Sequence, residues 1–109
     1  MEKTGAYVEI TVDKETLLAK ISGEIDHHTS KMLRMEIDRR ISDVLPKTVK
    51  IDLSGVSFMD SSGLGLILGR SKSAKNIGAD FVLLEAPKRI QNMFDMSGFD
   101  RLIKIERKN

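Results

Sequence analysis

Aspartate and serine residues are concentrated at positions 60–62, directly before Gly63 and an apolar run. The side-chain oxygens of Asp60, Ser61 and Ser62 are of the kind that accepts hydrogen bonds from free N–H groups in the first turn of a helix. Because these N–H groups and the helix dipole also attract negative charge, the same position favours an anion such as a phosphoryl group. The segment therefore predicts a helix N-terminus that presents hydroxyl groups.

This short segment is open to four interpretations. The polar residues cap a helix and do nothing more, the nearby glycines form a phosphate-binding loop, Ser61 is a nucleophile, or a hydroxyl is modified by phosphorylation. The glycines at positions 63, 65 and 69 miss the G-x-G-x-x-G spacing by one residue, and there is no G-K-[ST] motif. We therefore expect Gly65 and Gly69 to let the helix backbone approach the sheet closely.

A nucleophilic Ser61 would need a base and usually a G-x-S-x-G elbow, but bulky residues precede this serine. The two histidines of the chain are His27 and His28, and although one of them could reach Ser61 in space, nothing in the sequence requires it. We therefore expect a protein that is not an enzyme. Phosphorylation remains a working interpretation because it adds about −1.5 to −2 charges at neutral pH, which can abolish binding at an interface.

The length and composition of the chain exclude several classes of protein. At 109 residues the chain has the size of one domain, and we assign residues 1–109 to it. The chain has no cysteine, and its two adjacent histidines do not have a metal-binding spacing, so we expect neither a metal nor a cofactor. No run approaches the roughly 20 apolar residues of a membrane span, and no signal-peptide pattern begins the chain. We therefore expect a cytoplasmic protein.

The charges of the chain are interspersed. Eighteen basic and sixteen acidic residues leave a net charge of +2. A basic cluster near the C-terminus lacks the interleaved aromatic residues that would stack on nucleic-acid bases. Its members are Arg101, Lys104, Arg107 and Lys108. We expect no direct contact with nucleic acid or a membrane, and a chain that is monomeric when it is alone.

The elements that position residues 60–63 follow from hydrophobic periodicity. Alternating or continuous apolar runs predict strands at residues 8–12, 17–21, 49–53, 81–84 and 102–105. Apolar residues at helical spacing predict helices over residues 28–45, 60–78 and 87–98. We expect Gly55 to end the third strand, and Asp26 to begin the first helix.

The order of these elements predicts the fold class. Strands that alternate with helices indicate an α/β domain in which helices pack against a small mixed, largely parallel sheet, and the first two strands form a hairpin. Partners of such sheets meet the carboxyl ends of the strands. Because Asp26 and Ser61 both follow strands, we expect them to lie on one surface.

Four segments resemble the anti-anti-sigma factors of the STAS domain family, in matching order along essentially the whole chain. They are GEIDHHT at residues 23–29, FMDSSGLG at 58–65, ILGR at 67–70 and FDMSG at 94–98. The D-S-S-G-L-G sequence after a strand is a specific motif. The double histidine points within the family to the sporulation branch, whose members antagonise the anti-sigma F factor.

This resemblance implies a partner switch that phosphorylation controls. The unphosphorylated protein would bind an anti-sigma factor, which is an ATP- or ADP-bound serine kinase, and would thereby release a sigma factor. That kinase would phosphorylate Ser61, and a PP2C-type serine phosphatase would reverse the reaction. By resemblance, Asp26 would face a basic residue of the kinase, and Ser62 would lie in the same contact surface.

We include in the expected contact surface the residues that flank the two serines, which are Met59, Asp60, Gly63 and Leu64. Core packing is the alternative for Met59 and Leu64, because apolar residues at the ends of elements are often buried. The alternative to a sporulation role is a STAS module of a stress-response partner switch, which would bind a different kinase or a larger assembly.

Overall fold

The structure is a computed structural model that describes residues 5–84 and 86–106. Within these ranges the elements are β1 (Ala6–Asp13), β2 (Thr16–Ile25), α1 (His27–Val44), β3 (Thr48–Met59), α2 (Ser61–Asn76), β4 (Asp80–Leu84), α3 (Lys88–Ser97) and β5 (Lys104–Glu106). A short 3₁₀ helix, Phe99–Arg101, precedes β5. Two members of the basic C-terminal cluster, Arg107 and Lys108, lie outside the described residues. None of the helices described is long and apolar enough to cross a membrane.

The five strands form one sheet with the order β1-β2-β3-β4-β5. The tight turn between β1 and β2 makes this pair antiparallel, whereas the other three pairs are parallel because a helical connection separates their strands. The prediction of an α/β fold with a mixed, largely parallel sheet is therefore confirmed. Because strands that are consecutive in the chain are also neighbours in the sheet, β2 and β3 lie next to each other in its central part.

The core lies on one face of this sheet. Alternate residues of β2 and β3 are completely buried there, namely Leu17, Ala19, Ile21, Val49, Ile51 and Leu53. Helix α1 covers them with Leu33, Ile37 and Ile41, which are spaced by four residues and share one helical face. Phe94 of α3 is also fully buried and stacks on Phe99. Apolar burial of this kind is the main favourable term that fixes the helices on the sheet.

The two central strands are longer than predicted. β3 does not end at Gly55 but continues to Met59, and β2 extends to Ile25. Gly55 pairs with Ser22 where the register shifts, and a Cβ at this glycine would lie 2.6 Å from Ser22 Oγ. The glycine therefore permits a close approach of two strands at a bulge and does not end the strand.

The last strand, β5, lies at the edge of the sheet beside β4 and begins later than predicted. β5 covers Lys104–Glu106 and pairs with β4 in parallel. Of the residues expected to belong to it, Leu102 is exposed and Ile103 is buried in the core. The Ile103 N–H donates to the Phe99 carbonyl oxygen at 3.1 Å, so the chain is still turning at this point and cannot pair with β4.

Candidate docking surface at the carboxyl edge of the sheet

The carboxyl ends of β2 and β3 bring two distant segments together. Asp26 follows β2 directly, and Asp60 follows β3. Because these strands are adjacent and parallel, both residues lie at the same edge of the sheet. The Asp60 N–H donates to the Ile25 carbonyl oxygen at 3.1 Å and joins the two segments directly. The predicted juxtaposition of Asp26 with the serine segment is confirmed.

Asp26 is the N-cap of α1, as the sequence predicted. Its Oδ1 accepts hydrogen bonds from the backbone N–H groups of His28 and Thr29, both at 2.9 Å. The Thr29 hydroxyl oxygen accepts in return from the Asp26 N–H at 2.9 Å, and the hydroxyl donates to the Glu24 carbonyl at 2.8 Å. This reciprocal cap depends on the Thr29 hydroxyl, which was not among the predicted residues. A side chain that can accept a hydrogen bond three residues after an N-cap residue is the sequence signal that could have identified it.

These hydrogen bonds also fix the charge of Asp26. The backbone N–H of Thr29, followed by that of His28, holds the pKa of the Asp26 carboxyl below its ordinary value of 3.8, against the opposing effect of burial. The N–H groups lower this pKa because their hydrogen bonds stabilise the carboxylate and not the neutral acid. Asp26 therefore supplies a fixed negative charge on a surface that is partly exposed.

Asp60 caps α2, and this leaves Ser61 free for another role. The Asp60 Oδ1 accepts from the Ser62 N–H at 2.8 Å. Ser61 is the first residue of α2, and its side chain is exposed, whereas Ser62 is half-buried. The capping interpretation thus applies to Asp60. Ser61 is presented to solvent at the helix N-terminus, in a position that a second protein can reach.

The other expected contact residues lie at or beneath this surface. Met59 is only 5% exposed, and Gly63 is buried against it. Leu64 is half-buried, packs on the core and borders a shallow apolar groove with Met93 and Met96. The core-packing alternative therefore describes Met59, and this residue and Gly63 support the surface from beneath.

The glycines of α2 differ in the space around them. A Cβ at Gly63 would overlap the Cγ and Sδ atoms of Met59. These atoms lie in the middle of the side chain, so they cannot move aside as easily as its terminal methyl group. We expect Gly63→Ala to lower the free energy of unfolding by about 1–3 kcal/mol, the range for overpacked cores. Urea unfolding followed by circular dichroism measures this change.

Gly65→Ala is the matched control on the same helix. No heavy atom lies within 4 Å of a Cβ placed at Gly65 or Gly69, so the expectation that these glycines allow close packing on the sheet was wrong. Because alanine favours a helix more than glycine does, Gly65→Ala should raise the free energy of unfolding by up to about 1 kcal/mol. Equal losses in Gly63→Ala and Gly65→Ala would contradict the overlap with Met59.

Gly65 and Gly69 line a groove between α1 and α2. We call it the interhelical groove, and it is also bordered by Lys31 and Arg34 of α1 and by Arg70 of α2. Its volume is about 410 Å³. His27 and Ser62 lie at its end nearest the carboxyl edge of the sheet. In the described part of the chain, no group of three or more His, Cys, Asp or Glu residues could hold a metal ion.

Arg70 is a buried cation in the second half of α2. It is only 5% exposed, and its Nε lies 2.7 Å from Asp38 Oδ1. The N–H is not aligned with that oxygen, so the contact is an ion pair and not a hydrogen bond. The sequence carries a signal for this burial, because Arg70 lies three and four residues after Ile67 and Leu66 and shares their face.

Comparisons with known proteins agree with this architecture. A sequence model of the STAS domain matches residues 7–108. The anti-sigma F factor antagonist of Paenibacillus polymyxa is 36% identical over 98 residues, which cover 90% of this chain and 84% of that protein. The anti-sigma-B factor antagonist of Bacillus subtilis (strain 168) is 29% identical over 102 residues, which cover 94% and 92% of the two chains.

Solved structures show the same fold. The structure of the anti-sigma factor antagonist SpoIIAA in its unphosphorylated form has a TM-score of 0.80 and 28% identity, and the match covers 94% of this chain and 89% of that one. The phosphorylated form of SpoIIAA, a Bacillus cell fate determinant, has a TM-score of 0.74 at the same identity and covers 94% and 92%.

Proposed function

Since the chain belongs to the STAS domain family, we propose that it is an anti-sigma factor antagonist whose docking surface is switched by phosphorylation of Ser61. The unphosphorylated protein binds an anti-sigma factor, a serine kinase that carries ATP or ADP, and so releases a sigma factor. A PP2C-type phosphatase restores the unphosphorylated form. The protein is a cytoplasmic binding partner and a substrate in this cycle, not an enzyme.

The observation that carries this proposal is the exposed position of Ser61. It is the first residue of α2, and it lies at the sheet edge where Asp26 and Asp60 also lie. The proposed docking surface consists of Asp26, Asp60, Ser61, Ser62 and Leu64, and the buried Met59 and Gly63 support it from beneath. Asp26 supplies its fixed negative charge for a basic residue of the kinase.

The free protein tolerates a phosphoryl group at Ser61. A negative charge at the first residue of a helix interacts favourably with the helix dipole and with the free N–H groups of the first turn. In the docked complex the same charge is removed from water and lies close to the carboxylates of Asp26 and Asp60. Phosphorylation therefore disfavours the complex while it leaves the fold intact.

Phosphate transfer from a cognate anti-sigma kinase tests the site. The purified chain is incubated with the kinase and ATP, and the modified residue is located by mass spectrometry. We expect one phosphoryl group on Ser61 and none on the Ser61→Ala variant, which should still bind the kinase because it keeps a small uncharged side chain. Phosphate on Ser61→Ala would move the site, and Ser62 would be its next candidate.

Ser62→Ala is the matched control for this experiment. The Ser62 side chain is half-buried and borders the interhelical groove, whereas Ser61 is exposed. Ser62→Ala should therefore still accept a phosphoryl group on Ser61. If Ser62→Ala and Ser61→Ala were equally resistant to phosphorylation, the result would contradict Ser61 as the acceptor. Recognition of the whole segment by the kinase would then explain the loss.

The identity of the sigma factor defines two versions of this proposal. Relatives named for anti-sigma F and for anti-sigma-B antagonism both align with the chain, at 36% and 29% identity. We favour regulation of sporulation, and a stress-response partner switch is the second candidate. Calorimetric titration with an anti-sigma F kinase and with an anti-sigma-B kinase distinguishes them, because tighter binding to the latter would overturn our preference.

A further inference from the structure

The interhelical groove contains more positive charge than the fold uses. Arg70 has Asp38 as its ion-pair partner. Lys31 and Arg34 are exposed, and neither forms an ion pair with any residue in the described ranges. Three cations therefore border one groove in which a single carboxylate compensates one of them. Such an arrangement concentrates anions because like charges in a concave surface reinforce their potentials.

The position of Arg70 gives a second and independent indication of a ligand. Its side chain borders the groove and is only 6% exposed, and its Nη1 is buried without a hydrogen-bond partner among the described residues. A buried guanidinium donor that lacks an acceptor is costly, and such groups in native proteins usually bind an ion or water. The wall of the groove thus contains a buried cation whose hydrogen bonds are incomplete.

Electrostatic effects within the groove agree with this interpretation. Burial lowers the pKa of the Arg70 guanidinium from its ordinary value, Asp38 opposes this shift, and the positive charge of Arg34 lowers the pKa further. Arg34 and Arg70 are therefore close enough to repel each other. An anion between them would relieve this repulsion.

The remaining walls suit a small tetrahedral anion. Ser62 lines the groove, and a hydroxyl can donate a hydrogen bond to a phosphate oxygen. Ser30 lines it as well, but its hydroxyl donates to the His27 carbonyl oxygen at 3.3 Å. Gly65 and Gly69 leave the floor open, because no heavy atom approaches their Cβ positions within 4 Å. The groove also begins at the first turns of α1 and α2, where the helix dipoles favour negative charge.

From these contacts we infer that the interhelical groove binds a phosphate dianion, with the exposed Arg34 as its principal ligand, the buried charge of Arg70 in its wall and Lys31 at the rim. Guanidinium groups are suited to this role because their planar N–H pairs match two phosphate oxygens. The volume of about 410 Å³ exceeds that of a bare phosphate, so the group is accepted either free or as a small phosphomonoester. This site is distinct from the Ser61 hydroxyl and does not depend on the proposed partner switch.

The test uses the full chain labelled with ¹⁵N. Inorganic phosphate is titrated at neutral pH while sodium chloride keeps the ionic strength constant, and a second titration uses glycerol 3-phosphate. We expect saturable shifts of the Gly65 and Gly69 amide signals, which report on the groove itself. A tighter titration with glycerol 3-phosphate would identify a phosphomonoester as the preferred form, and a tighter one with phosphate would identify the free ion.

Charge-removing variants on the exposed side of α1 make the test specific. Arg34→Gln should weaken phosphate binding about tenfold, the value of one charge-assisted hydrogen bond. Arg39→Gln is the control, since Arg39 is also exposed on α1 but does not border the groove, and it should change binding less than about twofold. Equal losses of phosphate affinity in Arg34→Gln and Arg39→Gln would overturn the inference. So would amide shifts that increase linearly with phosphate and that sodium chloride alone reproduces.

Discussion

Ser61→Asp is expected to keep the fold and to weaken binding to the anti-sigma factor by about 2 kcal/mol or more, the scale on which a central interface residue is disrupted. This corresponds to a loss of about 30-fold in affinity. Binding suffers because the new carboxylate is desolvated in the complex and repelled by Asp26 and Asp60, which lie at the same edge of the sheet. Isothermal titration calorimetry with the anti-sigma factor measures the change.

Stability measurements separate this effect from unfolding. An aspartate at the first residue of α2 interacts favourably with the helix dipole, so Ser61→Asp should unfold at the same urea concentration as the unsubstituted chain or slightly higher. Ser42→Asp is the control for added charge, because Ser42 is exposed at the opposite end of α1. We expect Ser42→Asp to bind normally. The same affinity for all three proteins would be incompatible with an electrostatic switch at Ser61.

Asp38→Ala should lower the free energy of unfolding by about 3 kcal/mol, because it removes the partner of a buried cation. Arg70 is only 5% exposed, and no other carboxylate among the described residues forms an ion pair with it. We take the lower end of the range for buried pairs because Asp38 itself is 38% exposed and partly solvated. The Ser73 hydroxyl, 3.3 Å from Asp38 Oδ1, would keep the Gly69 carbonyl oxygen, at 3.1 Å, as its acceptor.

A double variant shows whether the cost comes from the uncompensated charge. Arg70→Met fills a similar volume without a charge, and combined with Asp38→Ala it should recover most of the lost stability. Asp43→Ala removes an exposed carboxylate from the same helix and should change stability by less than about 0.5 kcal/mol. Were Asp38→Ala no more harmful than Asp43→Ala in urea unfolding, the ion pair would not stabilise the fold.

The sequence alone determined the local features of the surface. Asp26 and Asp60 are the N-caps of α1 and α2, as their residue types and positions before apolar helices predicted. These predictions succeeded because capping depends on groups within three residues of each other. The order of strands and helices likewise predicted a mainly parallel sheet, since helical connections join parallel strands.

Only the tertiary structure decided how the helices and the strands meet. Gly55 was expected to end a strand and instead allows β3 to approach Ser22 at a bulge, which no pattern within one strand reveals. Arg70 and Asp38 are 32 residues apart in sequence and become an ion pair because α1 and α2 pack side by side. The interhelical groove exists for the same reason. Its chemistry depends on distances between separate helices, and these are set by the packing of the core and not by the local order of residues.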